Sequence, residues 1–267
     1  MHHRRFRVLL FLMAVSLPWA MNFAQAPPPS HVLSEGEELV YNVRYGFFDL
    51  GSVRIHTLRR QVTGADVVYA CKAFIDSYPK VPFVDLHATY ESVIDSTIYS
   101  HRFVGRTKQD DWWNFARYTY DAPNQRTIVE TGQKDTVITK RDTIGVDGVY
   151  QDGLSLFFFA RDRLFSGKLL TIPCVVSEKK VTTRINFDGR RDAVEIDAVD
   201  YPVDCVGFEG AADFVGIFGL TGEFSGWFSN DDARVPILAK MKVIIGSVAI
   251  ELIQWKRPGW APPRAKE

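Results

Sequence analysis

The stretch that decides the reading of this chain is Asp152-Gly-Leu-Ser-Leu-Phe-Phe-Phe-Ala-Arg-Asp-Arg-Leu-Phe165. Leu154, Phe157, Phe158, Leu164 and Phe165 recur at helical spacing, and Leu156 and Phe159 carry apolar surface round to the other side. The spacing predicts a helix over 152–165. Asp152 would cap it, Gly167 would stop it, and Arg161 and Arg163 would meet the negative end of its dipole. A helix this apolar is expected to be buried nearly all round. Almost everything else reads as β-strand, so the segment is expected to plug or cover a curved sheet.

Outward from the helix the hydrophobic period is two. Leu39, Tyr41, Val43 and Tyr45 alternate with Val40, Asn42 and Arg44, residues 46–51 turn, and 52–60 returns. The same alternation recurs through 67–140 and again through 168–229. The last hairpin is expected to turn on Ile245-Gly246-Ser247-Val248, which would set Val243 against Ile250, Met241 against Leu252 and Lys242 against Glu251. Roughly a dozen strands with short turns, and no linker after Ser34, predict an all-β, mainly antiparallel domain. Its expected form is a strongly curved sheet or open half-barrel, with one apolar helix packed in the concave side. The division that follows is a signal peptide at 1–26, a tether at 27–34, a single β-rich domain at 35–257 and a tail at 258–267.

The 267 residues are 46% hydrophobic, which is ample for a core. Without residues 1–26, which carry Arg4, Arg5 and Arg7 and no acid, 29 basic residues face 32 acidic ones. That balance is no footprint for nucleic acid and argues against a strongly basic membrane-surface patch. Residues 1–7 form a basic n-region, 8–21 an apolar run of signal-peptide length, and Ala24-Gln25-Ala26 a small-x-small cleavage pattern followed at once by Pro27. The run is shorter than the ~20 residues of a spanning helix, so export to the periplasm or beyond is expected, with no transmembrane segment left after cleavage. Cys71, Cys174 and Cys205 are an odd set with no CxxC pair; a Cys174–Cys205 bridge and buried free thiols both fit.

No arrangement of residues announces chemistry. Asp85, His87, Glu91 and Asp95 share one strand face, but neighbours two apart on a strand lie roughly 6–7 Å apart, too far for several to share one ion unaided. Arg102, Arg106 and Lys108 share a face of the next strand. Asp95 opposite Arg102 and Glu91 opposite Arg106 would make a solvated charge ladder. Six glycines among the aromatic residues of 207–228 have no phosphate-loop spacing and are expected to curve the sheet around an aromatic core. Ser229-Asn230-Asp231-Asp232 lacks the glycine and distal Glu of a calcium loop and reads as a polar turn. Trp112-Trp113 beside Asp110-Asp111 fits either a rim for carbohydrate or apolar ligand, or a half-buried hairpin tip. No histidine has a recognisable nucleophile partner, and no spacing calls for a metal or cofactor.

Several segments together resemble a known family. Gly36-Glu-Glu-Leu-Val-Tyr-Asn-Val-Arg-Tyr-Gly-Phe-Phe-Asp-Leu-Gly51 resembles the opening hairpin of the exported bacterial family catalogued as domain of unknown function 3108. Tyr90-Glu-Ser-Val-Ile-Asp95 and Asp152-Gly-Leu-Ser155 with Arg161 are similar to its middle. Trp227-Phe-Ser-Asn-Asp-Asp-Ala-Arg-Val-Pro236, then Gly246 and Leu252, is similar to its closing strands. The likeness implies an exported setting and assigns no catalytic residue.

The leading functional expectation is a non-enzymatic exported protein that binds or carries a hydrophobic or lipid-like envelope molecule under a helical lid. Leu154, Phe157, Phe158, Trp112, Trp113, Phe218 and Trp227 would contact it. The alternative is a structural or adaptor module that offers its surface to an envelope protein and has no pocket. A third reading, an enzyme built on Asp85, His87, Glu91 and Asp95, ranks last. An apolar void under the helix would favour carriage, and a filled interior the adaptor.

Overall fold

The computed structural model describes residues 31–63, 66–79, 81, 85–214, 222–242 and 247–266. The expected signal peptide, Phe218 and the Ile245-Gly246 turn lie outside these residues.

Alternating apolar residues build strands, and short turns order them. The first arm is a meander of β1 (Glu38–Tyr45), β2 (Phe48–Thr63), β3 (Asp66–Ser77), β4 (His87–Asp95), β5 (Ser100–Gln109), β6 (Trp112–Asp121), β7 (Arg126–Gln133) and β8 (Val137–Gly145). The helix α1 (Ser155–Arg163) follows. The second arm comprises β9 (Leu169–Val176), β10 (Lys179–Asn186), β11 (Arg191–Val194), β12 (Val203–Ala212), β13 (Gly222–Ser229), β14 (Pro236–Lys242) and β15 (Ser247–Lys256). β15 returns to pair with β1, joining the arms, among the described residues, into one antiparallel sheet of fifteen strands that runs from β8 through β1 and β15 to β9, with β11 beside β12.

The sheet is strongly coiled and does not close. Bulges at Val43/Arg44 and Thr57/Arg59 sharpen its twist. β8 and β9 form no ladder with each other. Instead Val175 of β9 packs with Phe103, Tyr118 and Val129 on the inner face of β5–β7. The segment after β8 adds one parallel bridge, Gln151 to Cys174, and the Gln151 amide donates to the Ile98 carbonyl at 3.1 Å. The structure is therefore the expected open barrel.

The helix lies between the two walls. Leu154 and Phe158 pack with Leu39, Tyr41, Ile55 and Tyr69; Ala160 and Leu164 pack with Ile172, Phe187, Phe208 and Phe228. Its α-turns span 155–163, shorter than the expected 152–165, and Leu164–Ser166 tightens into a 3₁₀ turn ended by left-handed Gly167. The shortening leaves Phe165 exposed, beneath the Arg234 guanidinium, instead of in the core.

Two expected registers are corrected. Met241 pairs with Val248 and Lys242 with Ser247, so the β14–β15 ladder is offset by four residues from a two-residue turn at Gly246-Ser247. The face is preserved, because an even offset keeps alternate residues on their own side. Between β4 and β5, a bulge at Val93/Ile94 puts Thr89 opposite Arg106 and Val93 opposite Arg102. One expected rung survives diagonally, Glu91 to Arg106 at 3.2 Å; the other is lost, with Asp95 paired to His101 in place of Arg102, and Glu91 gains Lys72 from directly across on β3 at 2.8 Å.

The cysteines are free and buried, which removes the Cys174–Cys205 bridge. Burial pushes the Cys174 thiol up to about 12 and the other two higher, so they behave as small apolar residues. Beyond β15, residues 258–266 run back over the fold: Arg264 bridges Val203, and the Trp260 indole donates to Asp231 at 2.8 Å.

Candidate functional site: the helix seat and the barrel rim

The seat begins at Asp152, fully buried where the chain enters the helix. Its Oδ1 accepts the backbone N–H groups of Leu154 (2.7 Å) and Ser155 (2.8 Å) and the Ser92 hydroxyl (2.9 Å). The Asp152 carbonyl accepts from the Leu156 N–H at 3.0 Å, so the expected cap is in place. Burial raises the Asp152 pKa above the ordinary aspartate range despite these hydrogen bonds.

Two turns on stands Arg161, which is 0% exposed and faces Glu37, 2% exposed, just ahead of β1. The pair is bidentate, Nη1 to Oε1 at 2.7 Å and Nη2 to Oε2 at 3.1 Å. Two more guanidinium hydrogens go to the carbonyls of Arg234 (3.1 Å) and Ala233 (2.9 Å) in the β13–β14 connection. Arg257 grips the other side of Glu37 and donates to the His31 carbonyl at 2.7 Å. Arg234 returns the tie, donating to the Asp162 carbonyl at 2.5 Å. Burial alone would raise the Glu37 pKa; the Arg161 and Arg257 charges overcome it and hold the carboxyl below the usual range. Arg161 is thus a clamp that fixes the helix to both arms, buried in the last turn where the dipole reading put it. One signal could have found it. Arg161 falls seven residues after Leu154 and three after Phe158, on the apolar stripe itself.

The expected ligand residues divide. Leu154 and Phe158 are wholly inside, and Phe157 meets Phe158 edge-on at 5.2 Å, with Arg161 over both rings. Trp112 and Trp113 sit far from them on the β5–β6 hairpin, 37% and 36% exposed. With Thr89, Arg106, Asp111, Lys134 and Asp135 they line an open groove of about 540 Å³. Trp227 occupies the face of β13 opposite Phe224 and Phe228, donating to Asp192 at 2.7 Å under Lys240. A second open groove, about 580 Å³, lies along β10, β12, β13 and β14 between Leu169 and Lys242. Neither groove touches Leu154, Phe157 or Phe158.

The acidic row is engaged on the wet face. His87 lies 2.7 Å from Asp76 and 3.3 Å from Asp85, and Asp95 pairs with His101 at 3.0 Å. Among the described residues no three of His, Cys, Asp and Glu converge as metal ligands. The 229–232 segment is a polar turn: Asp231 accepts from the Ser229 hydroxyl, the Arg234 N–H and the Trp260 indole.

With this geometry fixed, residues 40–253 match the model of the DUF3108 family, described as a protein of unknown function. The chain belongs to that family. Among solved structures, it is similar to a β-barrel-like protein of domain of unknown function DUF1849 from Brucella abortus, at 14% identity and a TM-score of 0.57 over 84% of this chain and 98% of that one. That likeness shows the fold. A protein from Bacteroides fragilis described as exported and of YmcC-like fold gives 8% identity and a TM-score of 0.35, over 86% of this chain and 98% of that one. No curated protein matches. The resemblance read from the opening hairpin, the 152–161 segment and the closing strands therefore holds, and the Arg161 clamp belongs to a DUF3108 barrel.

Proposed function

We propose that this DUF3108 chain is an exported, non-catalytic module of the cell envelope that acts through its surface, with α1 as a fixed plug instead of a lid. The observation that carries the reading is the Arg161–Glu37 pair, buried at the centre and tied to both arms. Opening the helix would take the Arg161 guanidinium from Glu37 and from the Ala233 and Arg234 carbonyls and leave Glu37 with Arg257 alone, a cost of several kcal/mol. Leu154 and Phe158 are already covered by protein, so they have no surface left for a ligand. The test is native mass spectrometry of the mature chain, with organic extraction of the same sample. A bare polypeptide mass supports the plug; a stoichiometric co-purified apolar molecule would sink it.

Carriage remains the second reading because of one observation. The hydroxyl groups of Tyr41, Tyr69 and Tyr120 are buried with no protein partner, an arrangement that suits a small occupant with polar atoms. The same extraction decides between the two.

A further inference from the structure

We propose that the groove at Trp112 and Trp113 is a binding surface for a neutral oligosaccharide. The inference deepens the surface-module reading by naming the surface and its ligand class, and it rests on that reading. The floor of the groove is the outer face of the sheet. Thr89 of β4 stands directly across from Arg106 of β5, and Trp113 of β6 across from Lys108, two positions further along the same face. Arg106 lies three positions from Phe103, whose ring packs inside, so this row points away from the core. The β5–β6 tip contributes Asp111 and Trp112, and the β7–β8 turn contributes Lys134 and Asp135.

The groove is set before any ligand arrives. The Lys134 N–H donates to the Trp113 carbonyl at 2.8 Å, and the Arg106 Nε donates to Asp135 Oδ1 at 2.7 Å. Arg106 Nη1 also lies 3.2 Å from Glu91. These ties hold the two hairpin ends against each other, so little ordering is left to oppose binding.

The chemistry of the lining selects the ligand. Among the described residues no Leu, Ile, Val or Met lines the groove, and its apolar surface comes mainly from the two part-exposed indoles. Arg106 and Asp135 neutralise each other. The side chains of Asp111 and Lys134 form no ion pair or hydrogen bond among the described residues. A carboxylate that accepts and an ammonium that donates, beside aromatic faces, match a sugar ring with hydroxyl groups at its rim and C–H groups on its face. An apolar ligand would cover Asp111 and Lys134 without pairing them. A phosphate-bearing chain needs surplus positive charge, and here two basic side chains meet two acidic ones. An added peptide strand needs a free edge, whereas β4, β5 and β6 are each paired on both sides.

Isothermal titration calorimetry of the mature chain with cellotetraose, chitotetraose, maltotetraose and the acidic tetragalacturonate tests this, beside Trp113→Ala, Lys134→Met and Val149→Ser. Val149 is an exposed apolar residue in the connection after β8 and lines neither groove. Wild type and Val149→Ser should bind at least one of the three neutral probes, with an affinity unmoved by added salt because the ligand is uncharged. Trp113→Ala should lose on the order of tenfold in affinity. Lys134→Met alters an exposed turn residue, so its thermal unfolding should be unchanged while binding weakens severalfold. It carries the test if Trp113→Ala fails to fold. No binding of any neutral probe by wild type, or equal binding by every folded variant, overturns the proposal. Binding of tetragalacturonate alone, weakened by salt, also overturns it and assigns the groove to an acidic chain. An apolar molecule extracted from the interior would remove the plug reading while the titrations still judge the groove.

Discussion

At the scale of single residues, stability concentrates on two buried carboxylates with opposite pH behaviour. Glu37→Ala leaves Arg161 charged and unpaired in the core and should cost about 3–5 kcal/mol in urea unfolding. Glu37→Leu combined with Arg161→Met should recover part of that loss, since it removes both buried charges while leaving Arg257 and the Ala233 and Arg234 carbonyls without their partners. Because the folded pKa of Glu37 is depressed, its contribution is present above the ordinary glutamate value and lost as pH falls through the folded one. Asp152 runs the other way. Its folded pKa is raised, so the folded state holds the proton more tightly, and stability declines as pH rises from the ordinary aspartate value to the folded one. Asp152→Asn keeps an oxygen for the Leu154 and Ser155 N–H groups. It should be at least as stable as wild type at neutral pH, whereas Asp152→Ala should lose about 1–2 kcal/mol with the cap. Thermal unfolding of both variants across the acid range checks the sign.

Among the elements, β12 and β13 show why glycine and phenylalanine recur together in 207–228. Phe208 lies directly opposite Gly226, and Phe224 opposite Gly210. A Cβ on Gly226 would stand 2.3 Å from the Phe208 ring, and one on Gly210 equally close to Phe224. Each glycine is the space its partner's ring occupies, and the rings then stack inward, Phe208 on Phe228 at 4.8 Å. Gly226→Ala should therefore cost about 1–3 kcal/mol by overpacking, read as a lowered unfolding midpoint with an unchanged slope. The helix offers a second check. As a clamped plug, the amides of Phe158–Arg161 should exchange hydrogen only on global unfolding; as a lid they would exchange by a cheaper local opening.

For the whole molecule, the arms share the β1–β15 ladder, but their free ends, β8 and β9, meet without one, so the closure depends on small contacts that sequence does not advertise, such as Val175 against Phe103 and Tyr118. The C-terminal segment adds ties within the second arm: its Pro263 carbonyl accepts from the Asp204 N–H at 2.7 Å and its Pro262 carbonyl accepts from the Tyr201 hydroxyl at 2.9 Å. Deleting residues 258–267 should lower the melting temperature measurably while the far-ultraviolet spectrum stays that of a β-protein. Much of this architecture was legible beforehand. The period of two along 38–60 and 67–140, and the lone apolar run at 154–164, sufficed for an open antiparallel barrel around one helix, since each pattern states which face must leave water. The registers were less legible. Bulges and longer turns shift pairing by two or four residues without changing which face is apolar, so β4–β5 and β14–β15 kept their faces and changed their partners. The clamp was least legible: Glu37 and Arg161 stand 124 positions apart, and a charge on an apolar stripe has no partner until the chain is folded. The sequence by itself determined the strand-rich class, the buried helix and the family resemblance, because those are local periodicities. Only the tertiary structure decided that the helix is tied down and that its clamp reaches both arms. Both facts depend on how far the sheet coils before its arms meet, a sum over many strands that no single segment encodes.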